Sequence, residues 1–448
     1  MLRLTRGGPR PGAGAWTNWA GTATATPLQV AHPRDEAELA AVVAAAAARG
    51  LRVKPVGSGH SFTPVAVTDG VQVRLDLLSG IERIDHPDAD THLVRVRAGT
   101  PLHRLNPLLA DAGLAMTNLG DIDRQTISGA VATGTHGTGA RFGGLATQVV
   151  GLRVVLADGS VVECSEDREP ELFAAARLGL GALGVVTELT LQCVPAFRLH
   201  ADERPMPLQH VLQNLDELAD GNDHFEFYWF PHTTRTLTKR NNRLPGSAPV
   251  KRLPRWRSWV DDELLSNGVF ELTNRLSSRV PAAVPIVNEV TSRALSAREL
   301  TCASYDVFVS SRRVRFREME YAVPREALRH LLTELRRLVA GSSFTLPFPV
   351  EIRFAAADDV WLSTAYGRET AYVAVHQYHR LDHHEYFQAF EQIACAAGGR
   401  PHWGKLHGLA EKQLRELYPR FDDFIAVRDR LDPHRVFGND YLTRVLGS

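Results

Sequence analysis

The chain has little sulfur, little lysine and no net charge. Four cysteines in 448 residues (Cys164, Cys193, Cys302 and Cys395) lie far apart with no C-x-x-C pair. That spacing excludes a disulfide frame and a thiolate zinc site, and reads as reduced thiols of a cytoplasmic protein. Only five of the 51 basic residues are lysine, at 54, 239, 251, 405 and 412, so a lysine at a given place is informative. The 51 basic and 51 acidic residues cancel, leaving no electrostatic case for a nucleic-acid or anionic-membrane partner. The most apolar run, AAVVAAAAA at 40–48, is too short to span a bilayer, so no membrane insertion is expected. The basic N-terminus has no apolar stretch behind it and is not read as a secretory signal. An apolar fraction of 44% with 23% charged residues is that of a globular chain, and its length asks for two or three domains.

The first third alternates strands and helices. LQVAH (28–32) reads as a strand, and Asp35 with Glu38 opens a helix that Gly50 stops. LRVKPVG (51–57) follows as a strand, making 28–57 a β-α-β unit. Strands are expected at 71–75 and 92–98, a helix from Pro101 to about Gly113, and a hairpin over 152–164 turning at Asp158-Gly159. A helix at 170–178 and a strand at 184–194 complete this part. Beyond 196 the composition changes, with an aromatic FEFYWF (225–230) and a basic proline-rich loop over 243–259. YDVFVSS (305–311), VEIRFAA (350–356) and AYVAVHQYH (371–379) read as strands alternating with a helix from Pro324 to Gly341. An antiparallel sheet covered by helices is expected there.

Two glycine clusters carry the first chemical signal. In VGSGHSF (56–62), Gly57 and Gly59 flank Ser58 at a strand end, where backbone N–H groups can converge on an anion. NLGDIDRQTISGAVATGTHGTGARFGG (118–144) has six glycines from 129 onward, interleaved with Thr and Ser. Such a loop lines a ligand with amides and hydroxyls or simply covers a surface. Together they favour a large phosphate-bearing cofactor. GLGALG (179–184) matches a dinucleotide fingerprint but follows a helix and precedes a strand, the reverse of the required context; it reads as a helix end and turn.

Polar residues in apolar surroundings follow. Glu351 and Arg353 are two apart on an expected strand and share a face, as a site or as a structural ion pair. PHWGKLHG (401–408) places His402 and Lys405 in a tight turn. The segment AVHQYHRLDHHEY (373–385) holds four histidines, but His376 and His379 are out of phase on a strand, so no metal site is assigned.

In this order, TNWAG (17–21), VGSGHSF, NLG…SGAVATGTHGTG, LGALGVVTELTL, EIRFAAADDVWLSTAYGR, RPHWGK and LDPHRVFGNDYL resemble the vanillyl-alcohol-oxidase-type flavoproteins, within them the sugar-lactone and alditol oxidases. The match covers nearly the whole chain; 196–300 carries no familiar motif. The resemblance implies an α+β protein with a two-part FAD-binding domain of the PCMH type, from 1–195 and a returning C-terminal segment 401–448, around a substrate cap at 196–400. It implies FAD bonded through His60. Val56, Gly57, Ser58, Gly59 and Ser61 would hold the pyrophosphate. Ser128, Gly129, Thr133, Gly134, Thr135 and His136 would meet the cofactor from the second loop, with Val186 near the adenine and Gly120, Asp121 and His402 near the flavin. Glu351, Arg353 and Lys405 match the residues around the reacting carbon.

Asp121 and His376 stand where alditol oxidases carry serine and threonine, which turns the expectation toward an aldono-1,4-lactone. His376 is then an added acid–base candidate. The implied partners are a sugar lactone or polyol and dioxygen, with hydrogen peroxide formed. The alternatives are an alditol oxidase, a lactone dehydrogenase using another acceptor, a cell-wall-type flavin reductase, for which His60 has no purpose, and a metal-dependent hydrolase built on 376–384.

Overall fold

The helix opened by Asp35 runs Glu36–Ala48 (α1). The Asp35 carboxylate accepts from Glu38 N–H at 2.8 Å, while the Glu38 carboxylate reaches back to Arg34 N–H at 2.9 Å, a reciprocal cap. In this computed structural model, which describes residues 14–88, 91–254, 274–275, 279–310 and 314–448, strands Gln29–Ala31 (β1) and Val53–Val56 (β2) flank α1. They do not pair with each other: both lie parallel to Val71–Arg74 (β3), in the order β1-β3-β2.

Against this small sheet stands a six-stranded sheet. Ile81–Asp85 (β4), His92–Arg97 (β5), Val149–Val155 (β6), Val161–Ser165 (β7) and Val185–Pro195 (β8) run in the order β7-β6-β8-β5-β4, with Leu114–Ala115 pairing on the end of β8. The expected β6–β7 hairpin turns at Gly159, whose φ is +84°. That is left-handed backbone, natural to glycine. Helices Leu102–Asp111 (α2), Ile127–Ala132 (α3) and Pro170–Ala176 (α4) complete this part.

The largest sheet among the described residues has eight strands, all antiparallel: Phe197–Pro207 (β9), His224–Trp229 (β10), Arg235–Pro245 (β11), Arg298–Ala303 (β12), Phe316–Pro324 (β13), Val350–Ala355 (β14), Thr370–Tyr378 (β15) and Arg400–Pro401 (β16). Their order is β12-β9-β11-β10-β14-β15-β13-β16. Leu328–Gly341 (α5) and His384–Ala396 (α6) pack on it with buried leucines and phenylalanines. Half of these strands come from 197–303, where the sequence carried no familiar motif. One expected strand is absent: Ser304–Phe308 is a helical turn. Its predecessor β12 is the sheet's edge strand, and its open side is met by Lys251, which exchanges both backbone hydrogen bonds with Thr301. The turn instead packs Tyr305 and Phe308 on the core, and Ser310 N–H donates to the Asp121 carbonyl. Residues 255–259 of the proline-rich loop and residue 311 lie outside the described residues.

After β16 the chain leaves the sheet and returns to the first part. Val53 N–H donates to Val436 O, and the Asn439 amide donates to the carbonyls of Pro64, Val65 and Val67.

Candidate active site

β2 delivers the chain into the turn 57–61 at the edge of its sheet. Gly57 faces Thr126 so closely that a Cβ would lie 2.3 Å from the Thr126 hydroxyl, and Gly59 has φ +69°. The turn is strapped from outside: Trp19 N–H donates to Gly59 O, and the Asn18 amide to Ser61 O. From the other side, Thr126 caps α3 by accepting from Gly129 N–H. The hydroxyls of Ser128 and Thr133 donate to the carbonyls of Ala98 and Gly129, so what this loop offers a ligand is mainly backbone. A groove of about 430 Å³ runs between the two loops. Val56, Gly57, Ser58, Gly59, His60 and Ser61 line one wall, and Ser128, Gly129 and Thr133 the other. The far end is apolar, with Val154, Leu183 and Val186, while Arg74, Arg104 and Arg124 supply cations beside the glycine turn. The 179–184 turn, set aside above, also lines it. Lys54, fully buried, pins that turn by donating to Gly181 O at 3.0 Å and ties it to the C-terminal segment through Phe437 O at 3.1 Å.

At its other end the groove opens into a second, smaller cavity. His60, Ser61, Gln125 and Thr133 line both. Trp19 stacks on the His60 ring with centroids 5.8 Å apart. Burial, with Lys405 and Arg124 nearby, pushes the His60 pKa down to about 4, so at neutral pH the ring keeps a free nitrogen lone pair.

Charged side chains of the large sheet line this second cavity. Glu351 and Arg353 of β14 share its face, as their spacing predicts, and form an ion pair. Arg353 also meets Glu226 at 2.9 Å and Asp121 at 3.4 Å. Burial alone would depress this guanidinium, but those three carboxylates hold its pKa well above the usual value. Tyr228 OH lies 2.9 Å from Glu351 and 3.0 Å from Glu226, and Lys239 pairs with Glu226 at 3.1 Å. On β13, Glu318 and Glu320 are likewise two apart and face the cavity. Glu318 pairs with Lys405, which leaves the 402–405 turn toward it. Against the cost of burial, Lys405 and His376 hold the Glu318 carboxyl below its usual range.

Glu320 meets His136 Nε2 at 3.3 Å, and His136 Nδ1 lies 2.8 Å from Gly137 O, with the ring stacked on Tyr372. His136, Glu320 and His402 cluster as metal ligands might. His402 Nδ1, however, accepts from Gly404 N–H at 3.0 Å, so its neutral ring carries the hydrogen on Nε2, away from ligation. The trio is a hydrogen-bonded cluster.

Of the residues singled out in the sequence, Gly120, Asp121, Thr135, His136, Glu351, Arg353, His402 and Lys405 all meet in this cavity. Gly134 (φ +77°) lines neither space and serves its turn against Leu178 and Trp403. His376 lines neither; it stands behind Glu318 and Glu351. The sequence reading missed Trp19, Gln125, Glu226, Tyr228, Lys239, Glu318 and Glu320. For the last two the signal was present: FREMEYAV puts two acids on one face of a strand, the pattern that exposed Glu351 and Arg353.

Comparison with known proteins agrees with this layout. A family model described as D-arabinono-1,4-lactone oxidase matches residues 189–445, and one described as FAD binding domain matches 27–165. The chain is 46% identical over 432 residues to an L-gulono-1,4-lactone dehydrogenase of Mycobacterium tuberculosis, covering 96% of this chain and 99% of that one. It is 35% identical to an L-gulonolactone oxidase of Bos taurus, over 96% and 97% of the two chains. Among solved structures, a cholesterol oxidase from B. sterolicum superposes with a TM-score of 0.80 at 18% identity, covering 96% of each chain; this likeness is one of fold.

Proposed function

The chain belongs to the D-arabinono-1,4-lactone oxidase family and carries an FAD-binding domain; from that premise we propose that it oxidises an alcohol carbon of an aldono-1,4-lactone of the gulono, arabinono or galactono type. The observation that carries the reading is the junction at His60, where a glycine-walled groove of about 430 Å³ meets a cavity of paired charges. The groove's residues fit FAD: an apolar end for the adenine, a glycine turn with arginines for the pyrophosphate, and an unprotonated imidazole at the flavin end. Bound flavin supplies a two-electron acceptor for the hydride of an alcohol carbon. His60, neutral and without a hydrogen-bond partner among the described residues, is the group that bonds covalently to the cofactor. Glu351, oriented by Arg353 and Tyr228, receives the substrate hydroxyl proton as the hydride leaves. Lys405 places a fixed cation where charge develops. The cavity's carboxylates accept hydrogen bonds from the hydroxyls of a neutral polyol-like ligand. Buried free thiols at Cys164, Cys193 and Cys302 suit the cytoplasm. No helix among the described residues is long and apolar enough to cross a membrane.

Dioxygen is the acceptor in this reading, with hydrogen peroxide as product. Gly120 supports it. Its φ is not in the left-handed region, so the backbone does not demand glycine there. An added Cβ would lie 3.1 Å from the Thr135 methyl and 3.2 Å from His136 O, displacing cavity-wall atoms by a few tenths of an ångström. Gly120→Ala is expected to slow reoxidation by dioxygen more than reduction by substrate. The second reading, a dehydrogenase, draws on the name of the 46%-identical relative. Stopped-flow measurement of both half-reactions with L-gulono-1,4-lactone, D-arabinono-1,4-lactone and xylitol separates them. A reduced protein that reacts with dioxygen no faster than free reduced flavin, yet rapidly reduces a dye, selects the dehydrogenase. Fastest reduction by xylitol selects an alditol oxidase.

A further inference from the structure

His376 is 5% exposed and lines neither cavity. Its Nδ1 lies 3.1 Å from the Pro349 carbonyl oxygen, and a carbonyl only accepts, so Nδ1 carries a hydrogen. Its Nε2 lies 3.5 Å from Glu318 Oε1 and 4.0 Å from Glu351 Oε2. In a neutral ring that nitrogen would aim a lone pair at two buried carboxylates. The rings of Phe316 and Phe348 flank the imidazole, and apolar walls of that kind strengthen the repulsion. Each carboxylate is held on its far side by a cation, Glu318 by Lys405 and Glu351 by Arg353. Among the described residues, the charged groups around His376 are Glu318 on β13, Glu351 and Arg353 on β14, and Lys405 on the 402–405 turn. On its own strand, Gln377 is turned to the carbonyls of Thr345 and Asp382.

We propose that His376 is a doubly protonated positioning residue, the centre of an alternating row Lys405–Glu318–His376–Glu351–Arg353 that keeps Glu351 ionised toward the substrate hydroxyl. Three features carry this. The ring has no access to the cavity, so it does not touch the reacting atoms. Both carboxylates face the same nitrogen while the other is committed to a carbonyl, so the ring cannot pass a proton through itself to an exit. With the proton in place, Nε2 can donate between Glu318 and Glu351; without it, the lone pair facing them favours a proton on one of those two carboxyls instead. The acid–base role expected from the sequence thus becomes an electrostatic one. The consequence for turnover rests on the reading of Glu351 given above, whereas the protonation of His376 does not.

The test uses the flavin-loaded protein labelled with ¹⁵N-histidine. The signals lost in His376→Gln identify this ring among the 18 histidines, and both its nitrogens are expected in the imidazolium range at pH 8. A single protonated nitrogen overturns the proposal. If His376→Gln does not fold, Glu318→Gln serves for assignment by shifting the same pair of signals. In turnover, loss of this cation raises the Glu351 carboxyl pKa, so the acid limb of the pH profile for flavin reduction in His376→Gln moves to higher pH. The rate lost at pH 7 returns as pH rises, and His376→Lys, which restores a charge, moves the limb back. A rate depressed equally at every pH identifies His376 as the base and overturns the proposal. An imidazolium signal with an unmoved limb removes the control of Glu351 ionisation from the proposal and faults the assignment of Glu351 as proton acceptor.

Discussion

The groove and the cavity that meet at His60 recognise their contents in opposite ways. The groove is built from main chain: glycines at 57, 59, 129 and 181, side-chain hydroxyls already committed to carbonyls, and apolar walls. The cavity is built from side chains, with acids and bases from five separated segments locked in ion pairs. Main-chain recognition is local in sequence, since each stretch of wall is a short run of neighbouring residues, and it suits a ligand that never changes. A charge network draws on distant strands, and a single substitution within it retunes every member. The lesson is that one part of the site fixes the cofactor while the other remains adjustable toward the substrate.

Four substitutions probe that contrast. The largest effect is expected at the junction: His60→Ala abolishes covalent flavin, seen as the loss of all yellow colour from the acid-precipitated polypeptide while the folded protein still takes up free FAD. If colour stays with the precipitate, another residue makes the bond. In the cavity, Lys405→Met leaves flavin content near wild type and slows flavin reduction by about 100-fold, the cost of one lost donor at a developing negative charge. A near-normal rate in single-turnover measurements would return Lys405 to a purely structural pairing with Glu318. In the groove, Gly57→Ala forces apart two loops now in contact through the Thr126 hydroxyl and costs about 1–3 kcal/mol of stability. Its signature is weaker FAD retention, measured by equilibrium dialysis in the His60→Ala background where the cofactor is not bonded, with the rate per bound flavin kept.

The smallest effect is a slope. Burial pushes the Lys54 pKa down to about 7 from an ordinary 10.5, partly offset by Asp432. Between those values the unfolded chain holds a proton that the folded chain has released, so Lys54 makes stability rise with pH across that window. Melting temperatures of the wild type and Lys54→Met, compared at pH 6.5 and pH 9, are expected to differ in this slope; parallel curves would show Lys54 charged throughout.

The same contrast explains what was legible in the sequence. The glycine turn at 56–62, the loop at 118–144, α1 with its cap and the β6–β7 hairpin all announce themselves because local backbone needs dictate residue type. Glu351 and Arg353 were visible by strand periodicity, and Lys405 by its rarity. Glu226, Tyr228 and Lys239 were not, since nothing local marks β10 and β11 as neighbours of β14; that pairing is set only when the sheet assembles. The helical turn at 304–308 was misread because its residues suit a strand, while in the fold Tyr305 and Phe308 reach the core from a helical turn. The groove-lining role of 179–184 was hidden for the converse reason, a motif set aside on its order with neighbouring elements and brought to the site by Lys54.

Lys54 and Asn439 also impose an order of events during synthesis. The wall carrying His60 hangs from hydrogen bonds to Val436, Phe437 and Asn439, residues made nearly four hundred positions after it. A nascent chain cannot finish the groove wall before residues 436–439 have been made and have docked on 53–67. A chain cut before residue 436 is therefore expected to retain FAD poorly.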